Sequence, residues 1–268
     1  MGNKSYSDAG ANTREILTAA CNISTLSLNH LTIKAMRFKL ICFDAGFTLI
    51  EARRPMKASV AAVLGSMGVP PTEAALHRAW EIADHWFWEE YHRPNNDTWG
   101  SDERIMATWR HYHQLMLREL GVPDEDGRIV EAVAAAHFGI DNWQLYSDVV
   151  PTLGALRELG YTIGVVSDWS SRLAQIFDAL GISSYLNFVL ASGAAGVAKP
   201  DPRFYRMAAQ LGGVAPHQAL MVGDSYQADV LGARAAGMDA LLLDRVGTAG
   251  TVDVQVIRSL ADLPALLN

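Results

Sequence analysis

Asp44 closes an apolar run, Phe38-Lys39-Leu40-Ile41-Cys42-Phe43. A buried strand ends in a carboxylate only where something offsets the charge. Ligands of open α/β sheets gather at the carboxyl ends of the central strands. Asp44 is therefore the first candidate for chemistry. Two later apolar runs end in the same way. Residues 161–166 lead into Ser167-Asp168, and residues 219–222 lead into Gly223-Asp224-Ser225, with Asp229 five positions beyond Asp224. Lys199-Pro200 lies between them, just before a helix start at Asp201-Pro202. If these ends share one sheet edge, a carboxylate nucleophile, a hydroxyl, an ammonium and an acidic pair meet there. Such a set can bring a carboxylate up to an anionic centre, provided that cations remove the like-charge repulsion.

The surrounding pattern indicates what must position these groups. Residues 38–43 form a short apolar run that reads as a strand buried on both faces. From Val149 onward the chain alternates: a helix over 151–159 closed by Gly160, a strand over 161–166, a helix over 172–180 and a short strand over 186–190. A helix from Asp201-Pro202 to Gly212 follows, with Asp as the N-cap and Pro in the first turn. Then come a strand over 219–222, a helix over 227–236 and a strand over 239–243. Strand–helix alternation with short links predicts an α/β fold, a Rossmann-like parallel sheet with helices on both faces.

The stretch from Glu51 to Asn142 has helical periodicity and no strand pattern. Helices are expected at 58–64, from Pro70-Pro71-Thr72-Glu73 to the break at Arg93-Pro94-Asn95-Asn96, over 101–120, and from Asp124 onward. The expected division is a core of residues 36–52 and 143–268 and a helical subdomain of residues 53–142. Residues 1–35, rich in Ser, Thr and Asn without a clear period, are expected to be a loosely held N-terminal extension.

Composition narrows the function. A net charge of -7 argues against nucleic acid, whose binders need a basic face. Neither uncharged stretch, 16–33 or 179–198, is a continuous apolar span. The two cysteines, Cys21 and Cys42, make no disulfide framework, and Cys42 falls in the expected buried strand. A reduced, cytoplasmic chain acting on a small molecule is the expectation; oligomeric state is not legible.

Taken together and in order, Phe43-Asp44-Ala45-Gly46-Phe47-Thr48-Leu49, Val165-Val166-Ser167, Lys199-Pro200 and Gly223-Asp224-Ser225-Tyr226-Gln227-Ala228-Asp229 resemble the motifs of the haloacid dehalogenase-like (HAD) hydrolase superfamily. The resemblance covers about residues 38–245. It implies that the helical insert is a cap of the first-position kind. It implies a Mg²⁺-dependent phosphatase in which Asp44 is the nucleophile and a metal ligand, and Asp224 and the Gly46 carbonyl are further ligands. Ser167 and the Asp168 amide would hold a phosphoryl oxygen, Lys199 would neutralise the developing charge, and Asp229 would support the metal's waters or the loop. The product of attack would be an aspartyl-phosphate on a small phosphomonoester substrate.

One position departs from the pattern. Family phosphatases carry a second Asp, the general acid, where this chain has Gly46. The carbonyl is kept and the acid is lost, and acid–base help is worth roughly 10² to 10⁴ in rate. Three readings stay open at this stage. The cap lends an acid, with His85, His92, His111 and His113 as candidates; the leaving group needs no proton; or the protein binds phosphate and Mg²⁺ without turnover. A 2-haloacid dehalogenase, in which Asp44 attacks carbon without a metal, is the alternative enzyme, although it has little use for Asp224. The cap aromatics Trp80, Trp86, Trp88, Tyr91, Trp99 and Trp109 read chiefly as packing between helices. Arg53 and Arg54 could meet an anionic substrate or lie on the surface.

Overall fold

The first strand, β1 (Leu40–Phe43), is buried on both faces. Ile41 and Phe43 pack into one hydrophobic cluster and Leu40 and Cys42 into another, all four fully inaccessible. Burial on both faces is why the run is continuously apolar and not alternating. The structure is a computed structural model that describes residues 37–91, 93 and 97–267; the expectation for residues 1–35 lies outside these.

After β1 the chain passes β2 (Ile50–Ala52) and four helices: α1 (Met56–Ser66), α2 (Glu73–Tyr91), α3 (Asp102–Glu119) and α4 (Arg128–Phe138). It returns along β3 (Trp143–Leu145) and then alternates: α5 (Val149–Glu158), β4 (Thr162–Ser167), α6 (Leu173–Ala179), β5 (Phe188–Ala191), the short α7 (Ser192–Ala195) and α8 (Pro202–Leu211). There follow β6 (Ala219–Gly223), a π-helical turn (Tyr226–Leu231), α9 (Gly232–Ala235), β7 (Asp239–Leu243), β8 (Val256–Ile257) and α10 (Leu263–Leu267). The main sheet is six-stranded in the order β5-β4-β1-β6-β7-β8, parallel throughout. Phe43 stands opposite Val165 on β4 and Val222 on β6, so Asp44, Ser167 and Asp224 emerge at the same edge.

The helix ends follow their capping chemistry. Ser101 accepts the Arg104 amide at the start of α3, and Asp201 accepts the Arg203 amide at the start of α8. Asp124 does not open its helix. Its carboxylate takes the amides of Ile129 and Val130, both at 2.9 Å, and α4 begins at Arg128.

Two expectations are corrected. Glu51 and Ala52 were expected to open the helical stretch, yet they belong to β2, which pairs antiparallel with β3, Ile50 opposite Leu145, on either side of the insert. Three-residue strands are too short to show a period. The neck is tightened by Asn142, whose side chain accepts the Arg54 amide and donates to the carbonyls of Arg54 and His137. Arg53 is used in the same neck, bonding the Trp143 carbonyl and Gln144. The second correction concerns residues 227–236, expected as one α-helix. The turn is first π-helical: the amides of Asp229 and Val230 both point to the Ser225 carbonyl, and the regular helix starts only at Gly232. π turns of this kind recur at functional sites.

The helices of the insert bury their own cluster, including Val60, Leu64, Ala83, Tyr112, Met116 and Val133. Around it the aromatic rings stack in series, Phe87 on Trp109 at 4.8 Å between centroids. Among the described residues no helix is long and apolar enough to cross a membrane. His113 and His137 are buried in this region, and the Nδ1 atom of each lacks a hydrogen-bond partner. Burial lowers His113 from its ordinary 6.5 to about 3 and His137 to about 4. Both are therefore neutral when folded and take up protons on unfolding below pH 6.5, so stability is lost as pH falls through that value. The expected loss is about 2 kcal/mol per histidine by pH 5, relative to pH 8. Chemical denaturation across this range checks it; a flat profile between pH 8 and 5 would contradict the buried, neutral rings.

Candidate active site

Lys199 ends the loop that runs from α7 towards α8, and its side chain is only 3% exposed. Its ammonium lies 2.5 Å from Asp44 Oδ1 and 2.6 Å from Asp229 Oδ1. Asp44 sits one residue past β1, and its amide donates to the Val222 carbonyl of β6 at 2.9 Å. Asp229 projects from the π turn and is 1% exposed; its Oδ2 accepts the Ser225 amide at 2.9 Å. Gly223 makes room for it, because a Cβ there would stand 2.2 Å from the Asp229 carboxyl. Ser167, at the end of β4, is buried beside Asp44 and helps to favour its ionised form. Asp224 is exposed at the rim, where Thr48 donates to its Oδ1 at 3.4 Å.

Charge in this cluster is unbalanced. Burial pulls the Lys199 ammonium towards neutrality, but Asp229 and Asp44 more than offset it and hold the lysine well above its usual range. Burial drives Asp44 upward while Lys199 opposes it; with an ammonium at 2.5 Å the pair is ionised. The surrounding protein, and then the charges of Asp44 and Asp229, push Asp224 up to about 8. Three carboxylates thus face one ammonium. Among the described residues no three His, Cys, Asp or Glu side chains form a ready metal cluster. The donors at hand are two carboxylates and a backbone carbonyl, all hard oxygens that suit Mg²⁺. With a single ammonium among these acids and hard oxygens as donors, the residues fit a divalent cation.

The remaining candidates are placed as follows. Gly46 lies in the turn after Asp44, and a Cβ there would meet the indole of Trp169 at 3.4 Å. Phe47, next to it, takes φ 55 and hydrogen-bonds back to Ile50, a strained conformation for a bulky residue. Asp168 accepts the Lys199 amide at 3.0 Å and the Tyr91 hydroxyl at 3.3 Å. Of the cap histidines, His113 is buried beside Met56, His85 pairs with Glu89, and His111 packs on Trp86; His92 lies outside the described residues. Sequence reasoning gave Asp229 a looser part than the structure does: it is the second carboxylate on Lys199. Thr48 and Tyr91 were missed, although Thr48 belongs to the Asp44 motif.

A buried carboxylate–ammonium pair lies at the edge of a parallel sheet, where the ends of three strands meet. Residues 38–237 match the haloacid dehalogenase-like hydrolase family. The chain is 31% identical over 216 residues to the mouse haloacid dehalogenase-like hydrolase domain-containing protein 3, covering 78% of this chain and 82% of that protein. It is 31% identical over 183 residues to a phosphoserine phosphatase of Thermus thermophilus, covering 66% and 68%. Among solved structures, the putative HAD-hydrolase YfnB of Bacillus subtilis, bound to magnesium, superposes with a TM-score of 0.70 at 16% identity, over 87% of this chain and 99% of that one. The chain belongs to the haloacid dehalogenase-like hydrolase family.

Replacing Asp229 by Asn keeps its shape and removes one of the two charges on a buried ammonium. The expected outcome is a loss of about 3 kcal/mol of stability, read as a lower denaturation midpoint with an unchanged slope. A midpoint within error of wild type would mean that Lys199 does not depend on Asp229.

Proposed function

We propose that the protein is a Mg²⁺-dependent phosphatase that hydrolyses a small phosphomonoester through a phosphoryl-aspartate at Asp44. The reading rests on one observation: the Lys199 ammonium lies between Asp44 and Asp229 at the sheet edge where Ser167 and Asp224 also stand. The phosphoserine phosphatase among its relatives supports a phosphate ester as substrate. Residues 53–142 act as a cap on a core of residues 36–52 and 143–268.

Asp44 attacks phosphorus, the bond from phosphorus to the leaving oxygen breaks, and the alkoxide takes its proton from water. Water then attacks the phosphoryl group, its bond to Asp44 breaks, and orthophosphate leaves with the carboxylate restored. Lys199 neutralises charge on the phosphoryl oxygens, and the Ser167 hydroxyl and Asp168 amide donate to them. Asp44, Asp224 and the Gly46 carbonyl would hold Mg²⁺, which supplies the positive charge that lets one anion approach another. A dehalogenase working without metal would carry Asp224 beside Asp44 uncompensated, so the acidic pair favours the phosphatase.

Orthophosphate release from a phosphomonoester panel is expected to require Mg²⁺ and to fall by more than about 10³ in Asp44→Asn, the range reported when a reacting group is removed. Metal-free halide release from a 2-haloacid would replace this reading with the dehalogenase. Gly46 supplies no acid, and none of His85, His111 and His113 reaches Asp44 by a described hydrogen bond. Turnover should therefore favour good leaving groups, with 4-nitrophenyl phosphate faster than an alkyl phosphate by on the order of 10². Equal rates for the two esters, measured under single-turnover conditions, would point to an acid elsewhere.

A further inference from the structure

Tyr91 is the last residue of α2 and belongs to the insert, whereas the other groups of the site come from the core. Its hydroxyl donates to Asp168 Oδ2 at 3.3 Å, and the other oxygen of that carboxylate accepts the Lys199 backbone amide at 3.0 Å. Lys199 is thus held at two points: its ammonium by Asp44 and Asp229, its backbone by Asp168. We propose that Tyr91 is a positioning residue that acts through Asp168, so that a seated cap fixes the backbone of the loop carrying the Lys199 ammonium. The inference rests on the phosphatase reading and adds to it a link between cap and charge.

Three observations carry it. Each oxygen of the Asp168 carboxylate has a partner, Oδ1 the Lys199 amide and Oδ2 the Tyr91 hydroxyl, so the acid has a structural task beside the site. The loop that carries Asp168 is gripped a second time by the insert: Asp102, at the start of α3, accepts both the amide of Ser171, at 2.8 Å, and its hydroxyl. A Cβ at Gly193 would stand 2.2 Å from Asp102 Oδ1, so the core is shaped to admit that grip. Finally, the Tyr91 ring is packed without help from its hydroxyl, against Phe87, Trp88 and Trp99 with centroids 5.6 to 6.2 Å away. Burial and the Asp168 charge hold the phenol above its ordinary range, so it is a donor.

Tyr91→Phe therefore removes the hydroxyl and keeps the packing. The test compares wild type, Tyr91→Phe, Asp168→Asn and the double variant by two readouts. One is kcat and KM for 4-nitrophenyl phosphate with Mg²⁺; the other is hydrogen exchange of the Lys199 amide in the full chain. Tyr91→Phe is expected to lower kcat about five- to tenfold with KM within about twofold, and to speed Lys199 amide exchange by a similar factor. The double variant should be no worse than Asp168→Asn alone. Unchanged Lys199 exchange in Tyr91→Phe, or effects that multiply in the double variant, would overturn the proposal; multiplication would make Tyr91 a direct substrate contact. If wild type releases no phosphate, the phosphatase reading fails, and the exchange measurement still decides whether Tyr91 acts through Asp168.

Discussion

An ammonium with almost no access to water lies between Asp229, which is equally shut in, and Asp44, which keeps a small opening to solvent. Isolated, each of these charges would cost several kcal/mol to bury; together they are tolerable only at close range and with their remaining oxygens satisfied. That constraint reaches through the fold. Asp44 must leave β1 at the sheet edge, Asp229 must fold back from a widened turn, and the residue before Asp224 must be small. The two hydrophobic clusters on either face of β1 supply the favourable burial that lets such a group persist. Because Asp224 adds a further negative charge, the edge as a whole stays electron-rich, and a hard cation is its natural complement.

The legible part of the site was the part written at strand ends. β1, β4 and β6 are buried on both faces, so their sequences are apolar until the polar residue at which each stops, and Asp44, Ser167 and Asp224 stand out for that reason. Lys199 was legible through its place before the Asp201-Pro202 helix start. The illegible residues act across the chain on groups with no local signal. Asp229 reads as an ordinary helical acid unless the π turn is known, since a regular helix would aim it elsewhere. Asp168 has a backbone amide 31 residues away as one partner. Tyr91 hides among aromatic neighbours whose business is packing. In the fold, the strands β2, β3 and β8 escaped because two or three residues carry no period, while the alternation that sets the sheet was plain.

The turn that lacks a second carboxylate is bordered by a ring. In the turn after Asp44 the indole of Trp169 leans on the Gly46 backbone and meets Trp143 edge-on, with centroids 4.8 Å apart. Trp169 is itself pinned, its amide on the Ser192 hydroxyl and its carbonyl on the Gly193 amide. An apolar wall borders the place where an acid would otherwise project. Protonation of a leaving group and charge stabilisation at phosphorus are separable contributions. This site keeps groups for the second and has no side-chain acid at Gly46 for the first.

Ser167, Asp168, Trp169 and Ser171 lie in one short loop, and each faces a different way. Ser167 turns to Asp44, Asp168 to the Lys199 backbone and to Tyr91, Trp169 to Gly46, and Ser171 to Asp102. A shift of the insert large enough to break the Tyr91 and Asp102 contacts would therefore be felt along the whole loop. It would loosen the Lys199 backbone, while Asp44 and Asp229, which belong to the core, keep its ammonium within the ion cluster. Substrate selection in the insert and charge in the sheet edge are thus joined by a loop that can be disturbed without dismantling the ion cluster. A chain that varies its insert can change what it accepts while the energetically demanding buried charges stay in place.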